Sequence, residues 1–204
     1  MKGLMVMETE LKYTSALTGA AFMFYEFKQV AILKEAGLSD TEIRKKVIDE
    51  NLFQHEKISS LKRGLPYVLR RVNALDETLR NMVIEDSNEV GKTINLYAIM
   101  KTNRLFYEFM EEVIYEKFQL NNYSLEKKDL NTFFTMKMEQ NENIAKWTEE
   151  TIKKLKHVHS KILIDMGMLK NMKSGELNRI IMDERVKNHL TDIGDSKYVH
   201  VIGE

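Results

Sequence analysis

Proline and glycine, the residues that most often interrupt regular secondary structure, are scarce in this chain. It has one proline and nine glycines among 204 residues, so long stretches contain nothing that would break a helix. Leu, Met, Glu and Lys are abundant, and all four are good helix formers. The sequence therefore predicts an all-α, predominantly helical protein.

Composition limits the class of protein further. Hydrophobic residues make up 43% and charged residues 30% of the chain, a balance typical of folded domains rather than disordered ones. The chain has no cysteine, which excludes disulfides, thiolate metal sites and a cysteine nucleophile. The most apolar stretch, Ala16 to Leu33, contains Glu26 and Lys28 and is too charged for a transmembrane helix. We therefore expect a soluble, cytoplasmic protein without a membrane span.

Helix boundaries are marked most clearly in the first third of the chain. Apolar residues recur at helical spacing from Ser15 to Ala36, and Gly37 supplies the left-handed residue that often ends a helix. Ser39 and Glu42 form a capping box, which predicts that a second helix begins there.

A helix-turn-helix segment is the interpretation that we give to the next elements. The second helix is expected to extend to Glu50, and a third begins near Ser60, with Pro66 either as a kink or as its true start. Helix, turn and helix in this order are typical of DNA-binding modules.

The domain boundary is predicted after an aromatic helical stretch from Thr93 to Phe118. Asn121, Asn122 and Ser124 follow it and form the best linker in the chain. We therefore expect an N-terminal helical domain over residues 13–120 and a second domain over residues 124–204.

The second domain has a different pattern. Asp129 and Thr148 are candidate helix caps, and the helix after Thr148 should end at Gly167. Apolar residues on both sides of a polar turn at residues 173–176 predict a small β-hairpin. Helices followed by a hairpin are the order of elements in a winged helix-turn-helix module.

No pattern in the sequence predicts a catalytic, cofactor or metal site. Gly91-Lys92-Thr93 resembles the end of a phosphate-binding loop, but Asp86 stands where that motif needs glycine. The acidic residues from Glu108 to Glu116 lack the Glu-x-x-His pairs of a di-iron bundle. His157 and His159 lie on different sides of a helix. We expect a non-enzymatic protein that uses no cofactor and has no small-molecule substrate.

Positive charge is segregated although the chain is neutral overall, with 31 basic and 31 acidic residues. Two stretches, residues 57–75 and 151–173, are almost free of carboxylates and could form a positive face for phosphates. The candidate DNA-binding residues are Lys57, Lys62, Arg63, Arg70, Arg71, Lys153, Lys154, Lys156 and Lys161. The alternative is that both stretches are ordinary solvated helix faces, and for the second stretch the two interpretations are about equal.

An ordered series of segments resembles the BrxA family of the BREX bacteriophage-exclusion systems. The resemblance covers roughly Tyr13 to Leu190 and depends on the whole series rather than on one motif. The segments are Tyr13 to Gly19, Ser39 to Leu52, Arg70 to Leu75, Leu96 to Lys101, Trp147 with Thr151, and Ile162 to Leu169.

The resemblance implies a small helical, non-enzymatic component of a phage-defence system that binds double-stranded DNA. It also implies partners among the other BREX subunits, which include a methyltransferase, a large ATPase and a phosphatase-like protein. Low sequence specificity is expected because no run of side chains forms an obvious base-reading set. A protein-protein adaptor without direct DNA contact is the alternative, and RNA binding of the kind seen in NusB is a third.

Overall fold

Helices dominate the computed structural model, which describes residues 11–203. A 3-10 turn at Ala16–Gly19 comes first. The helices are α1 (Phe24–Glu35), α2 (Asp40–Asp49), α3 (Ile58–Asn73), α4 (Glu77–Glu85), α5 (Asn88–Thr102), α6 (Arg104–Phe109), α7 (Glu116–Gln119), α8 (Lys127–Gln140), α9 (Glu142–Ala145), α10 (Glu149–Met166), α11 (Glu184–Asp192) and α12 (Ser196–Gly203). A π-helical turn at Met110–Tyr115 joins α6 to α7. The prediction of a predominantly helical protein is confirmed.

The first helical stretch is broken in a way that apolar spacing did not predict. The 3-10 turn ends at Gly19, and α1 begins only at Phe24. Met23 lies between them in the left-handed region, with φ of 46°. This conformation is unfavourable for any residue that has a Cβ atom, and it persists only where the surrounding structure enforces it. The C-terminal end agrees with expectation, since Gly37 has φ of 84° just beyond α1.

The predicted capping box at the start of α2 is confirmed. The Ser39 hydroxyl accepts a hydrogen bond from the Glu42 amide, and the Glu42 carboxylate accepts one from the Ser39 amide. Pro66 lies inside α3, so it does not mark the start of that helix. Residues 50–57 connect α2 to α3, a connection longer than the roughly three or four residues usual in a helix-turn-helix.

The core is centred on α5, whose residues are buried from Thr93 to Met100. It packs against α1, α3, α4 and α6, so the middle of the chain is enclosed by its neighbours. The aromatic stretch continues in α6, where Phe106 and Phe109 are fully buried. Within residues 11–203, no helix has both the length and the apolar character needed to cross a membrane.

The C-terminal hairpin is not confirmed. Within the described residues this region has only single antiparallel bridges, Leu169 with Leu177 and Ser124 with Glu176, around a turn whose Gly175 has φ of 66°. The end of α10 agrees with prediction, since Gly167 ends this helix in the left-handed conformation. The start of α8 differs, because Asp129 is not the cap but the third helical residue, in a capping box with Glu126.

Contacts cross the predicted domain boundary in both directions. The 3-10 turn Ala16–Gly19 packs against α10, and α12 packs against α5 and the π-helical turn. In addition, the His189 ring on α11 lies 2.6 Å from the Asp76 carboxylate at the start of α4. The division into residues 13–120 and 124–204 therefore stays a prediction, and the two parts of the chain share an extensive contact.

The cap of α10 gives a local test of this fold. Thr148 accepts a hydrogen bond from the Thr151 amide at 3.2 Å, satisfying one of the free amides at the helix start. Thr148→Ala should lower the free energy of unfolding by about 1 kcal/mol, measured by urea denaturation. Thr148→Asp retains a capping oxygen and should stay close to wild type. Equal stability of the alanine variant and the wild type would show that the cap contributes nothing.

Candidate nucleic-acid interface

A stripe of positive charge lies along the exposed side of α3. Lys62, Arg63 and Arg70 are all exposed. Arg63 and Arg70, seven positions apart, lie on the same side of the helix, and Lys62 points about 100° away from Arg63. Lys57 is exposed at the cap position where α3 begins. Among the described residues, none of these four side chains has a carboxylate within ion-pair distance, so their charges are available to an external anion. We call Lys57, Lys62, Arg63 and Arg70 the α3 stripe.

Arg71 has a different environment, and its assignment as a phosphate contact is corrected. Arg70 and Arg71 point about 100° apart around the helix, and here Arg70 faces solvent while Arg71 faces the core. Arg71 is 2% exposed, and its guanidinium donates hydrogen bonds to the carbonyls of Ala20 and Phe22. Burial lowers its pKa to about 9. A side chain enclosed in this way cannot reach a phosphate.

The second basic stretch lies on α10, where some of its lysines form ion pairs with carboxylates. Lys153 and Lys154 are exposed, and Lys154 pairs with Glu150 at 2.7 Å. Lys161 pairs with Asp165 at 2.6 Å. Exposed pairs of this kind are weak and are screened by salt, so a phosphate can displace the carboxylate.

Lys156 is the most constrained of the α10 lysines. It is only partly exposed, and its ammonium donates a hydrogen bond to the Asn131 side chain at 2.8 Å. The same ammonium lies 5.9 Å from the centre of the Phe134 ring. We call Lys153, Lys154, Lys156 and Lys161 the α10 strip, of which Lys156 is the member least free to reorient.

The 3-10 turn Ala16–Gly19 connects the two basic elements. Both α3 and α10 pack against it. The Arg63 side chain covers Gly19, where a Cβ atom would lie 3.3 Å from the Arg63 Cγ. Arg70 borders a cavity of about 10 Å³ that is also lined by Ala16 and Leu17. The α3 stripe therefore lies directly beside the turn on which α10 packs.

Carboxylates of the aromatic region are held in an internal network of ion pairs and hydrogen bonds. Lys137 is 4% exposed and contacts Glu108 at 2.7 Å and Glu112 at 2.5 Å. Glu108 also accepts hydrogen bonds from Arg104 at 2.7 Å and Tyr13 at 2.9 Å. Burial by itself would lower the pKa of Lys137, but its hydrogen bonds to the two glutamates raise it above the ordinary value. These acids are thus neutralised within the fold.

A cleft of about 920 Å³ lies between α6 and the α11–α12 connection. Its walls carry charges of both signs that largely satisfy one another. Lys101 contacts Asp195 at 2.5 Å, and the Tyr107 hydroxyl donates to Glu111 at 2.8 Å. Within residues 11–203 no group of three or more histidines, aspartates or glutamates is arranged to hold a metal ion. The exposed cations of α3 and α10 are therefore the better candidate site.

Sequence reasoning did not identify the role of the 3-10 turn. It treated Ser15 to Ala36 as one helical pattern because the apolar spacing continues through the break. Gly19 was the available signal, since a glycine inside a helical pattern often marks close packing, and here it allows the Arg63 side chain to approach.

Comparison with known proteins gives a consistent result along the whole chain. The sequence profile of the BrxA family matches residues 11–194. A BREX protein BrxA from Bacillus cereus (strain H3081.97) is 38% identical over 197 residues, covering 96% of this chain and 98% of that protein. A BREX protein BrxA from Paramagnetospirillum magneticum (strain ATCC 700264 / AMB-1) is 20% identical over 193 residues, covering 95% and 97%.

A crystal structure shares the fold. It is that of an uncharacterized protein from Magnetospirillum magneticum, with a TM-score of 0.81 and 20% identity, covering 94% of this chain and 98% of that one. At this identity the likeness establishes the fold alone. The family profile and the 38% identical relative, each extending over most of the chain, establish the family: this chain belongs to the BrxA family.

Proposed function

We propose that this protein is a non-enzymatic, double-stranded DNA-binding component of a BREX phage-defence system. It acts in the cytoplasm and contacts mainly the phosphate backbone. The observation that carries the proposal is the α3 stripe, whose exposed cations have no carboxylate partner among the described residues. Its relatives named BREX protein BrxA support the assignment to phage defence.

The proposed contact set combines the two basic elements. Arginines in the α3 stripe can pair with phosphates bidentately, and the lysines of the α10 strip can exchange their exposed carboxylate partners for phosphates. Arg71 is left out because it is buried. Contacts to phosphates position a protein on duplex DNA without reading its sequence, so low sequence specificity is expected. A winged-helix docking mode, with the turn at residues 173–176 as the wing, stays a prediction.

Titration of the purified protein onto duplex DNA tests this function. Fluorescence anisotropy with a labelled duplex of about 30 base pairs should show binding at about 50 mM salt that weakens by about a thousandfold at about 200 mM, as expected for about six phosphate contacts. Two unrelated duplexes of equal base composition should bind within a few-fold of each other. Absence of binding at the lower salt would contradict the proposal, and stronger competition by duplex RNA or single strands would favour the RNA-binding alternative.

A protein-protein adaptor is the second candidate, and two highly exposed apolar side chains favour it. Ile181 is 97% exposed and Leu120 is 78% exposed. Arg179 donates a hydrogen bond to the Phe118 carbonyl at 2.8 Å, which brings the two segments that carry these residues together. Exposed apolar areas of this kind often mark protein contacts. The adaptor function is the correct one if Ile181→Asp abolishes binding to another BREX subunit and neither the wild type nor the variant binds DNA.

A further inference from the structure

Arg71 is a buried cation whose hydrogen bonds go to backbone carbonyls, while the Glu26 carboxylate acts on it only electrostatically. Its Nη1 donates to the Phe22 carbonyl at 3.1 Å, and its Nη2 donates to the Ala20 carbonyl. A buried charge is unfavourable unless its hydrogen bonds compensate for the lost hydration. An apolar side chain would fill the same space without this penalty, so the contribution of Arg71 must be sought in what it holds.

The two carbonyls belong to the segment that separates the 3-10 turn from α1. Ala20 has φ of −153° and ψ of 78°, and Met23 is left-handed, so the backbone here is not helical. The Asn95 side chain donates a second hydrogen bond to the Phe22 carbonyl at 2.7 Å. Backbone acceptors buried without partners are strongly disfavoured, and side chains of α3 and α5 satisfy them in place of a helix.

The segment held by Arg71 is continuous with the turn between the basic elements. Gly19, directly before Ala20, packs under the Arg63 side chain. Leu17 in the same turn is buried, and both α3 and α10 pack against the turn. Arg71 and Arg70 border the same small cavity beside Ala16 and Leu17. A change in the position of this segment would therefore change how α10 sits relative to α3.

We infer that Arg71 is the positioning residue that keeps the α3 stripe and the α10 strip aligned for one duplex, by fixing the backbone of residues 20–22. The inference rests on the proposed function, since alignment matters only if both elements bind the same ligand. Arg71 touches no phosphate in this account. It acts through the 3-10 turn, and its side chain stays in the interior.

The test combines Arg71→Met with the salt dependence of duplex binding. A direct phosphate contact contributes about −0.9 to the slope of log K against log salt, so loss of one contact would reduce the magnitude of the slope by about that amount. Loss of alignment should release all four lysines of the α10 strip and reduce the magnitude of the slope by about 3.6. Adding Lys153→Gln and Lys154→Gln to Arg71→Met should then change the slope little. The same two substitutions in the wild type should reduce the magnitude of the slope by about two.

Hydrogen exchange separates this inference from the proposed function. Exchange of the amides in residues 14–23 should become faster in Arg71→Met, while exchange in α5 and α8 should match the wild type. Arg71→Lys, which keeps the charge but lacks the planar fork, should show a partial effect on exchange and slope. Asn95→Leu removes the other hydrogen bond to Phe22 and should act in the same direction, which provides the test if the methionine variant does not fold.

Three results would overturn the inference. One is unchanged exchange in residues 14–23, whatever happens to DNA binding. Another is wild-type affinity and slope in a folded Arg71→Met protein. The third is a change of only about one in the slope of Arg71→Met, followed by a further change of about two when Lys153→Gln and Lys154→Gln are added. That result would make Arg71 a direct phosphate contact. If instead the wild type does not bind duplex DNA while exchange in residues 14–23 still responds to Arg71→Met, the proposed function fails and the structural anchoring remains.

Discussion

Simultaneous replacement of Lys62, Arg63 and Arg70 by glutamine is expected to weaken duplex binding by about 100-fold at about 50 mM salt. The three cations are exposed and have no carboxylate partner among the described residues, so each can release a condensed counterion from DNA when it pairs with a phosphate. The slope of log K against log salt should become less negative by about 2.7, since each contact contributes about −0.9. Anisotropy titrations at several salt concentrations measure both quantities. All sequences should be affected equally.

A matched variant controls for the loss of three positive charges. Arg44, Lys127 and Lys146 are also exposed, but they lie on α2, at the start of α8 and just after α9, outside the proposed contact set. Their replacement by glutamine should reduce affinity much less than the α3 substitutions, because only long-range attraction is lost. Equal effects of the two triple variants would mean that net charge, and not the α3 stripe, determines binding.

The second large effect concerns the folding stability at acidic pH. His159 is fully buried among Phe106, Phe109 and Phe134, whose ring centres lie 5.1 to 5.3 Å from its own. Its Nδ1 contacts the Leu155 carbonyl at 2.8 Å, while its Nε2 has no hydrogen-bond partner within the described residues. Burial lowers the pKa of His159 to about 3, against an ordinary value of 6.5.

The sign of the pH dependence follows from proton binding. Between pH 6.5 and about 3 the unfolded chain carries a protonated histidine at this position and the folded protein does not. The unfolded state then binds more protons, so the free energy of unfolding falls as the pH falls, by about 1.4 kcal/mol per pH unit. At about pH 5 the loss from this single residue should reach about 2 kcal/mol relative to neutral pH.

Urea denaturation of His159→Leu across this pH range isolates the effect. The variant has no titrating group in the aromatic pocket, so its stability should decline less steeply than that of the wild type below pH 6.5. His157→Gln is the matched control, because His157 is exposed two residues earlier and its removal should leave the wild-type slope. Parallel pH profiles for wild type and His159→Leu would show that the buried ring does not destabilise the fold in acid.

Features that depend on neighbouring residues could be predicted from the sequence. The capping box of Ser39 and Glu42, the Thr148 cap and the Gly167 stop all form as expected, because the hydrogen bonds that define them join residues only a few positions apart. The separation of Lys62, Arg63 and Arg70 from carboxylates was also visible in the chain, since the charges of one helix are set by its own sequence.

Features that depend on distant contacts could not be predicted in the same way. Arg70 and Arg71 are adjacent and chemically identical in sequence, yet Arg70 is exposed and Arg71 is buried. Arg71 lies on the buried side of α3, where it meets the carbonyls of Ala20 and Phe22, about fifty positions earlier in the chain, and the sequence does not show that these acceptors lie there. The same contact lies at the break in the helical spacing from Ser15 to Ala36, where residues 20–23 are not helical.

The slope of log K against log salt for the wild-type protein on duplex DNA tests the central claim most directly, because it counts the phosphates that are neutralised. If the α3 stripe and most of the α10 strip bind one duplex, the slope should lie between about −5 and −7. A slope near −3.6 would mean that the four cations of the α3 stripe bind alone. A slope near zero, or no binding at low salt, would contradict the claim that the two basic elements form a nucleic-acid interface.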